Sequence, residues 1–239
     1  SGLEREVIII GPGRSILMPV RGGRDWTLVN LLHSDLTVKD GRLVIESGLE
    51  KNPCTGVTWY GAVVYAHIRS INAGLSPAID LENLSCDFSA TGFRLPTESE
   101  WEYACRAKAT GRFGSMGSAM ATESQNDKTT VSSYADRFAW FGGNSSGKNT
   151  RSHPVATKLP NNWGLYDMHG NVSEWCWDWY GPYNTTALKN PSGPETGWRR
   201  SVRGGDYIRE AKRIRSAKRD TGLPSNEHQT RGFRIARSV

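Results

Sequence analysis

Asn162-Trp163-Gly164-Leu165-Tyr166-Asp167-Met168-His169-Gly170-Asn171-Val172-Ser173-Glu174-Trp175-Cys176-Trp177-Asp178-Trp179-Tyr180 holds four of the chain's nine tryptophans in nineteen residues. Its second half alternates Trp175, Trp177 and Trp179 with Glu174, Cys176 and Asp178. That is the period of an extended strand, with three rings on one face and the polar groups on the other. A tryptophan buries roughly 150–250 Å², so this stretch is expected to be the hub on which the rest of the chain packs. It reads as a core strand rather than an aromatic cage for a ligand.

Outward from the hub, Arg199 to Gly205 reads as a strand ending in a glycine turn. Upstream, Thr58 to Ile71 reads as a helix capped by Thr58, with Trp59, Ala62, Val63, Ala66 and Ile71 as its apolar set and His67 as an edge histidine. Thr97-Glu98-Ser99-Glu100 is a capping box that starts a second helix, with Trp101, Ala104 and Cys105 as its core face. Lys108 to Asn149 is polar and rich in glycine and serine, which predicts surface loops around one ordered piece, Phe138-Ala139-Trp140-Phe141. At the amino end, Glu6 to Ile10 predicts a buried strand, Gly11-Pro12-Gly13 a turn, and Ile16-Leu17-Met18 the hairpin partner. Asp40-Gly41 between Leu36-Thr37-Val38 and Leu43-Val44-Ile45 predicts a second hairpin.

The 239 residues and this pattern predict one domain, and the 26 glycines and 11 prolines make it a loop-rich α+β chain. No apolar run approaches the roughly 18 residues a membrane-spanning helix needs. The chain opens on Ser1 without a methionine, as an expression scar or a trimmed export segment would both leave it, so its address is cut off rather than shown absent. Cys54, Cys86, Cys105 and Cys176 have no Cys-x-x-Cys spacing, so zinc is disfavoured and free thiols are expected. The net charge is +6, and between Arg199 and Arg237 twelve basic residues face four acidic ones. Tyr207 is the one aromatic residue in the basic run from Arg199 to Arg219. Single strands of nucleic acid would lack their stacking platforms there, so nucleic acid is not the expected partner.

Four motifs, in this order, resemble the formylglycine-generating enzyme (sulfatase-modifying factor) family. They are Gly92-Phe93-Arg94-Leu95-Pro96-Thr97-Glu98-Ser99-Glu100-Trp101-Glu102-Tyr103-Ala104, Gly164 to Tyr180, Arg203-Gly204-Gly205, and Gly232-Phe233-Arg234-Ile235-Ala236. The resemblance covers roughly residues 52–238. It implies a single α+β domain over 1–239 with a C-type-lectin-like fold and two helices, divergent strands over 1–51, and a basic carboxyl-terminal segment over 199–239. Family enzymes use two cysteines, five positions apart, to bind copper and handle oxygen. Those positions fall on Ala211 and Ser216 here. Alanine has no ligand atom and a serine hydroxyl does not replace a thiolate toward a soft ion, so the resemblance implies a chain that is not an oxidase and requires no cofactor. The family's calcium ligands map to Asp167, Gly170, Val172 and Glu174, oxygens that suit a hard cation. The competing expectation is that Asp167 caps the turn and Glu174 pairs with a buried arginine such as Arg203.

The closing Gly-Phe-Arg-x-Ala also resembles one branch, the variable proteins of diversity-generating retroelements. That resemblance implies a variable binding face at Asp206, Tyr207, Ile208, Arg209, Arg213, Asp220, Thr221, Gly222, Leu223, Ser225, Asn226 and His228, with Tyr207 and Arg209 as anchors. Lys212, Lys218 and Glu227 do not fit the codon class such variation uses. The branch further implies a monomer displayed on a bacterial cell surface through a removed lipoprotein leader, meeting a protein or other surface ligand. An oxidase of the family type and a calcium-dependent lectin are the competing expectations.

Overall fold

The tryptophan-rich stretch forms a seven-residue strand, Ser173–Trp179, and both of its faces are covered. The computed structural model describes residues 8–10, 15–18, 26–39, 42–113, 133–145, 150–183 and 189–238. In chain order the elements are β1 (Ile8–Ile10), β2 (Ser15–Met18), β3 (Trp26–Asn30), β4 (Leu36–Lys39), β5 (Arg42–Ile45), α1 (Trp59–Asn72), β6 (Ile79–Asp80), β7 (Ser85–Cys86), β8 (Phe93–Arg94), α2 (Glu98–Arg106), β9 (Ser173–Trp179), β10 (Arg200–Arg203), β11 (Asp220–Gly222), β12 (Arg231–Phe233) and β13 (Ala236–Arg237). The main sheet runs β11-β10-β9-β12, with β12 parallel to β9 and the other pairs antiparallel. β1, β2 and β3 form a three-stranded sheet, and β4 with β5 forms the second hairpin. The predicted turns at Gly11-Pro12-Gly13 and Asp40-Gly41 lie outside the described residues, as does much of the loop region from Lys108 to Asn149.

On one face of β9 the burial is apolar. Thr58 caps α1, its hydroxyl accepting from the Gly61 amide at 3.0 Å. Trp59, Ala62, Val63 and Ala66 then pack with Trp175 and Trp177 in one cluster. The rings are also tied to backbone: Trp59 Nε1 donates to the Cys176 carbonyl and Trp175 Nε1 to that of Val57, each at 3.0 Å. Ile71, expected on this face, is exposed. Twelve residues on from Trp59 it sits about 120° round a helix of about 3.6 residues per turn. Val64, absent from the predicted set, is buried instead against Leu28 and Leu31 of the amino-terminal part.

The other face was expected to be simply polar, and it is buried too. Helix α2 covers it, held by the predicted capping box between Thr97 and Glu100. Trp101 Nε1 donates to Glu174 Oε2 at 2.6 Å, and the Glu98 amide donates to Asp178 Oδ2 at 2.7 Å. Cys105, Met168 and Cys176 fill the gap around Trp101, and all four cysteines are free. Three arginines close this layer. Arg203, wholly buried, lies between Glu98 and Glu102; Arg219 meets both oxygens of Glu98 at 2.6 and 2.7 Å; Arg234 meets both oxygens of Glu174 at 2.5 and 2.6 Å. A fourth, Arg200, is stacked between Trp59 and Trp179, 3.7 and 3.4 Å from their ring centroids. Burial there pushes its pKa down to about 9. Much of the basic surplus of the carboxyl-terminal segment is therefore interior structure.

Candidate ligand-binding face

Residues 205–230 are mostly loop, and their backbone is fastened to the frame at many points. β11 pairs with β10 through Arg200↔Gly222, Ser201↔Thr221 and Val202↔Asp220. The Tyr207 amide donates to the Asn171 carbonyl, the Gly142 amide to that of Arg209, and the Ser216 amide to that of Arg112. Further on, the Trp59 amide donates to the Pro224 carbonyl and the Gly56 amide to that of His228. His169 Nδ1–H donates to the Ile214 carbonyl at 2.7 Å. Ala211–Arg213 forms one short 3-10 turn, and Ala211 packs beside the cluster of Phe113, Ala139, Phe141 and Ile214.

On that fixed path Ile208, Arg209, Arg213, Asp220, Ser225, Asn226 and His228 are exposed, and Thr221 and Leu223 are half-buried. Three of the predicted variable positions are not on the surface. Asp206 is buried and accepts from the Thr230 hydroxyl at 3.0 Å. Tyr207, predicted as an anchor, is 4% exposed. Gly222 is buried, and a Cβ there would lie 2.5 Å from the Trp175 ring, so no larger residue fits without moving the hub. These positions belong to the frame by burial, which the codon pattern does not encode. Arg209 keeps its predicted exposure and sits 3.5 Å from Asp206.

The two positions to which the resemblance assigns the family's thiols, Ala211 and Ser216, differ from this surface in burial. Ala211 is half-buried, and Ser216 is fully buried. Cys105, unremarked by any sequence spacing, lies beside Ser216. Its Sγ is 3.5 Å from His169 Nε2. Burial pushes the Cys105 thiol up to about 12 and the His169 imidazole down to about 4. Both groups are neutral near pH 7, so this pair is neither a nucleophile nor a thiolate ligand there. Sixty-four residues separate them, which is why no local motif announces the contact.

The tight turn before β9 uses left-handed backbone at Asp167, Gly170 and Asn171. Asp167 Oδ2 accepts from the Ala156 amide at 2.8 Å, while Oδ1 is buried without a hydrogen-bond partner, and burial raises this carboxyl's pKa. An orphaned carboxylate oxygen in the turn that carries Gly170 and Val172 is the kind of donor a hard cation takes. Glu174 does not fit as readily, because Arg234 and Trp101 already occupy its oxygens. Arg234, not Arg203, is the arginine that pairs with it, and it is half-buried. Among the described residues no three side chains of His, Cys, Asp or Glu gather as a metal site, and no helix is long and apolar enough to cross a membrane.

Comparison with known proteins places this frame. The chain is 34% identical over 220 residues to the serine/threonine-protein kinase pkn1 of Chlamydia pneumoniae, covering 89% of this chain and 28% of that protein. It therefore spans little more than a quarter of that relative. It is 28% identical over 235 residues to the formylglycine-generating enzyme of Streptomyces coelicolor, covering 96% of this chain and 66% of the enzyme. Among solved structures, Treponema denticola variable protein 1 superposes with a TM-score of 0.65 at 28% identity, over 78% of this chain and 71% of that one. The model of the sulfatase-modifying factor enzyme 1-like domain matches residues 21–239, reaching well upstream of the motif-bearing part, and the chain belongs to the formylglycine-generating enzyme family.

Proposed function

We propose that the chain is a non-catalytic ligand-binding domain of the kind that diversity-generating retroelements vary, with its binding face on the exposed side chains of residues 208–228. One observation carries this reading: seven of the expected variable side chains are exposed on a backbone that the frame holds at both ends and in between. Such a surface tolerates substitution because the packing does not depend on it, and loops on a rigid scaffold are where recognition is usually built. The likeness to Treponema denticola variable protein 1 supports it. Alanine and serine at the family's two thiol positions support the absence of oxidase chemistry. The reading includes display on a bacterial cell surface as a monomer and a protein or other surface ligand, not nucleic acid. It also includes a structural calcium ion on Asp167 and the carbonyls of Gly170 and Val172, with Glu174 shared between the ion and Arg234.

The decisive test is genetic. A near-copy of the coding sequence for this segment, differing at adenines and lying beside a reverse transcriptase gene, is the expected finding. Purified protein that consumes oxygen with a thiol donor in a copper-dependent way would overturn the non-catalytic part. Cys105 beside Ser216 is the one observation that favours that second reading.

A further inference from the structure

Among the described residues three arginines are fully buried, Arg94, Arg200 and Arg203. Two of them have their counter-ions: Arg94 pairs with Glu100, and Arg203 with Glu98 and Glu102. Arg200 is only 4% exposed, and no carboxylate of the described residues lies within 4.0 Å of it. Asp178 acts on its charge from further off and gives Oδ2 to the Glu98 amide, toward α2. A buried charge left without a partner is strongly unfavourable, so the missing counter-ion is the feature to explain.

The guanidinium is held as a flat plate between Trp59 and Trp179, with the Trp177 ring 5.6 Å away. Nη1 donates to the Trp177 carbonyl at 2.6 Å. The other two nitrogens have no acceptor among the described residues: Nε is sealed off, while Nη2 still meets solvent. Stacked rings attract the charge through their faces but leave the in-plane N–H bonds of Nη2 unused. A charged donor at the open end of such a slot is best met by an anionic acceptor. The slot also sets its shape, because a group coplanar with the guanidinium must lie between the two indoles. A carboxylate is flat and fits; a tetrahedral phosphate or sulfate does not. Arg200 pairs with Gly222 across β10 and β11, and the Trp59 amide bonds to the Pro224 carbonyl, so the slot borders the binding segment.

We propose that the slot between Trp59 and Trp179 binds a carboxylate, which meets Arg200 at Nη2 as its counter-ion. The carboxylate has two sources, a free organic acid or the acidic side chain of a protein ligand. The site is built from frame residues and does not rest on the variability of residues 208–228.

The test is titration of the whole chain at constant ionic strength, followed by the guanidinium resonances of Arg200 and the indole N–H resonances of Trp59 and Trp179. The probes are benzoate and the peptide acetyl-Gly-Asp-Gly-amide, each beside its neutral counterpart, benzamide and acetyl-Gly-Asn-Gly-amide, with inorganic phosphate as the tetrahedral anion. Saturable shifts with a carboxylate are expected, and the neutral probes and phosphate should bind roughly tenfold more weakly or worse, the scale of one charged hydrogen bond. Arg200→Gln should lose affinity by a similar factor, and Arg199→Gln, at its exposed neighbour, should leave binding unchanged. Should Arg200→Gln fail to fold, the neutral probes and phosphate still decide on the parent protein. Benzoate binding at least as well as the peptide assigns a free organic acid; tighter binding of the peptide assigns an acidic side chain. No saturation by either carboxylate, a neutral probe or phosphate binding as tightly, full affinity in Arg200→Gln, or loss of binding in Arg199→Gln would overturn the proposal.

Discussion

The two faces of β9 are equally buried by opposite means. Toward α1 the strand presents Trp175 and Trp177 to Trp59 and Val63, an interface of large apolar area with ring N–H groups tied to carbonyls. Toward α2 it presents Glu174, Cys176 and Asp178 to Trp101, Glu98 and three arginines. The first face is stabilised by transfer from water and is tolerant of pH. The second holds desolvated charges that are stable only as a complete set. One strand thus carries a face that supplies stability and a face whose chief product is a fixed arrangement.

The sharpest way to break the contrast is at its apolar side. Trp175→Ala should cost about 3–5 kcal/mol in urea unfolding, the range for deleting a buried aromatic ring, which is a large fraction of an ordinary total of about 5–15 kcal/mol. On the ionic side, Glu174→Gln keeps an acceptor for Trp101 but strands Arg234, and should cost about 3 kcal/mol. The double variant Glu174→Gln/Arg234→Gln should recover part of that loss. A double mutant no more stable than Glu174→Gln would mean that Arg234 does not need its partner, and the ionic face is then not a set.

Asp178 sharpens the comparison through pH. Burial raises its pKa to about 7 from the ordinary 3.8, with the Glu98 amide lowering it and the Glu98 charge raising it. A carboxyl whose folded pKa lies above its unfolded value keeps its proton longer in the folded state. Its contribution to stability is therefore greatest below about pH 4 and is lost as pH climbs to about 7. Asp178→Asn should remove that slope. Compared with the parent protein, it should gain on the order of 2 kcal/mol between pH 4 and pH 8, below the full value of about 1.4 kcal/mol per pKa unit. Parallel pH profiles for the two proteins would show that Asp178 ionises normally.

These effects also mark what the sequence makes legible. The apolar face announces itself locally, through alternation at Trp175, Trp177 and Trp179 and the period of α1, because each element must hide one stripe. The capping box at Thr97 is local in the same way. The ionic face is assembled from Glu98, Glu174, Arg203, Arg219 and Arg234, and their partners are set by strand order, not by spacing. Alternation alone makes Glu174 and Asp178 look solvent-facing, and charge counting makes the arginines look like surface. The same limit applies to the binding segment: aperiodic sequence between Gly205 and Gly232 marks it as loop, but only packing separates buried Asp206, Tyr207 and Gly222 from their exposed neighbours.

Calcium offers a gentler test of the turn that feeds β9. At about 100 times its dissociation constant a bound ion adds about 2.7 kcal/mol or less, so millimolar calcium should raise the melting midpoint by a few degrees and EGTA should reverse it. Asp167→Asn should abolish the response. No calcium response in the parent protein would leave the buried Asp167 oxygen to be satisfied by its own proton.

The smallest expected effect is the one the proposed function needs. Replacing Ile208, Arg213 and Asn226 together by serine should change stability by only about 0.5 kcal/mol per site or less, the range for exposed positions away from special contacts. Gly222→Ala, in the same segment, should cost more than any one of them because its methyl would press on the Trp175 ring. If the exposed set proved as costly as Gly222→Ala, the segment would be part of the core's packing, and a surface free to vary would not exist on this frame. If the set is silent while ligand binding is lost, stability and recognition reside in different atoms of one loop, which is the physical condition for varying the second without losing the first.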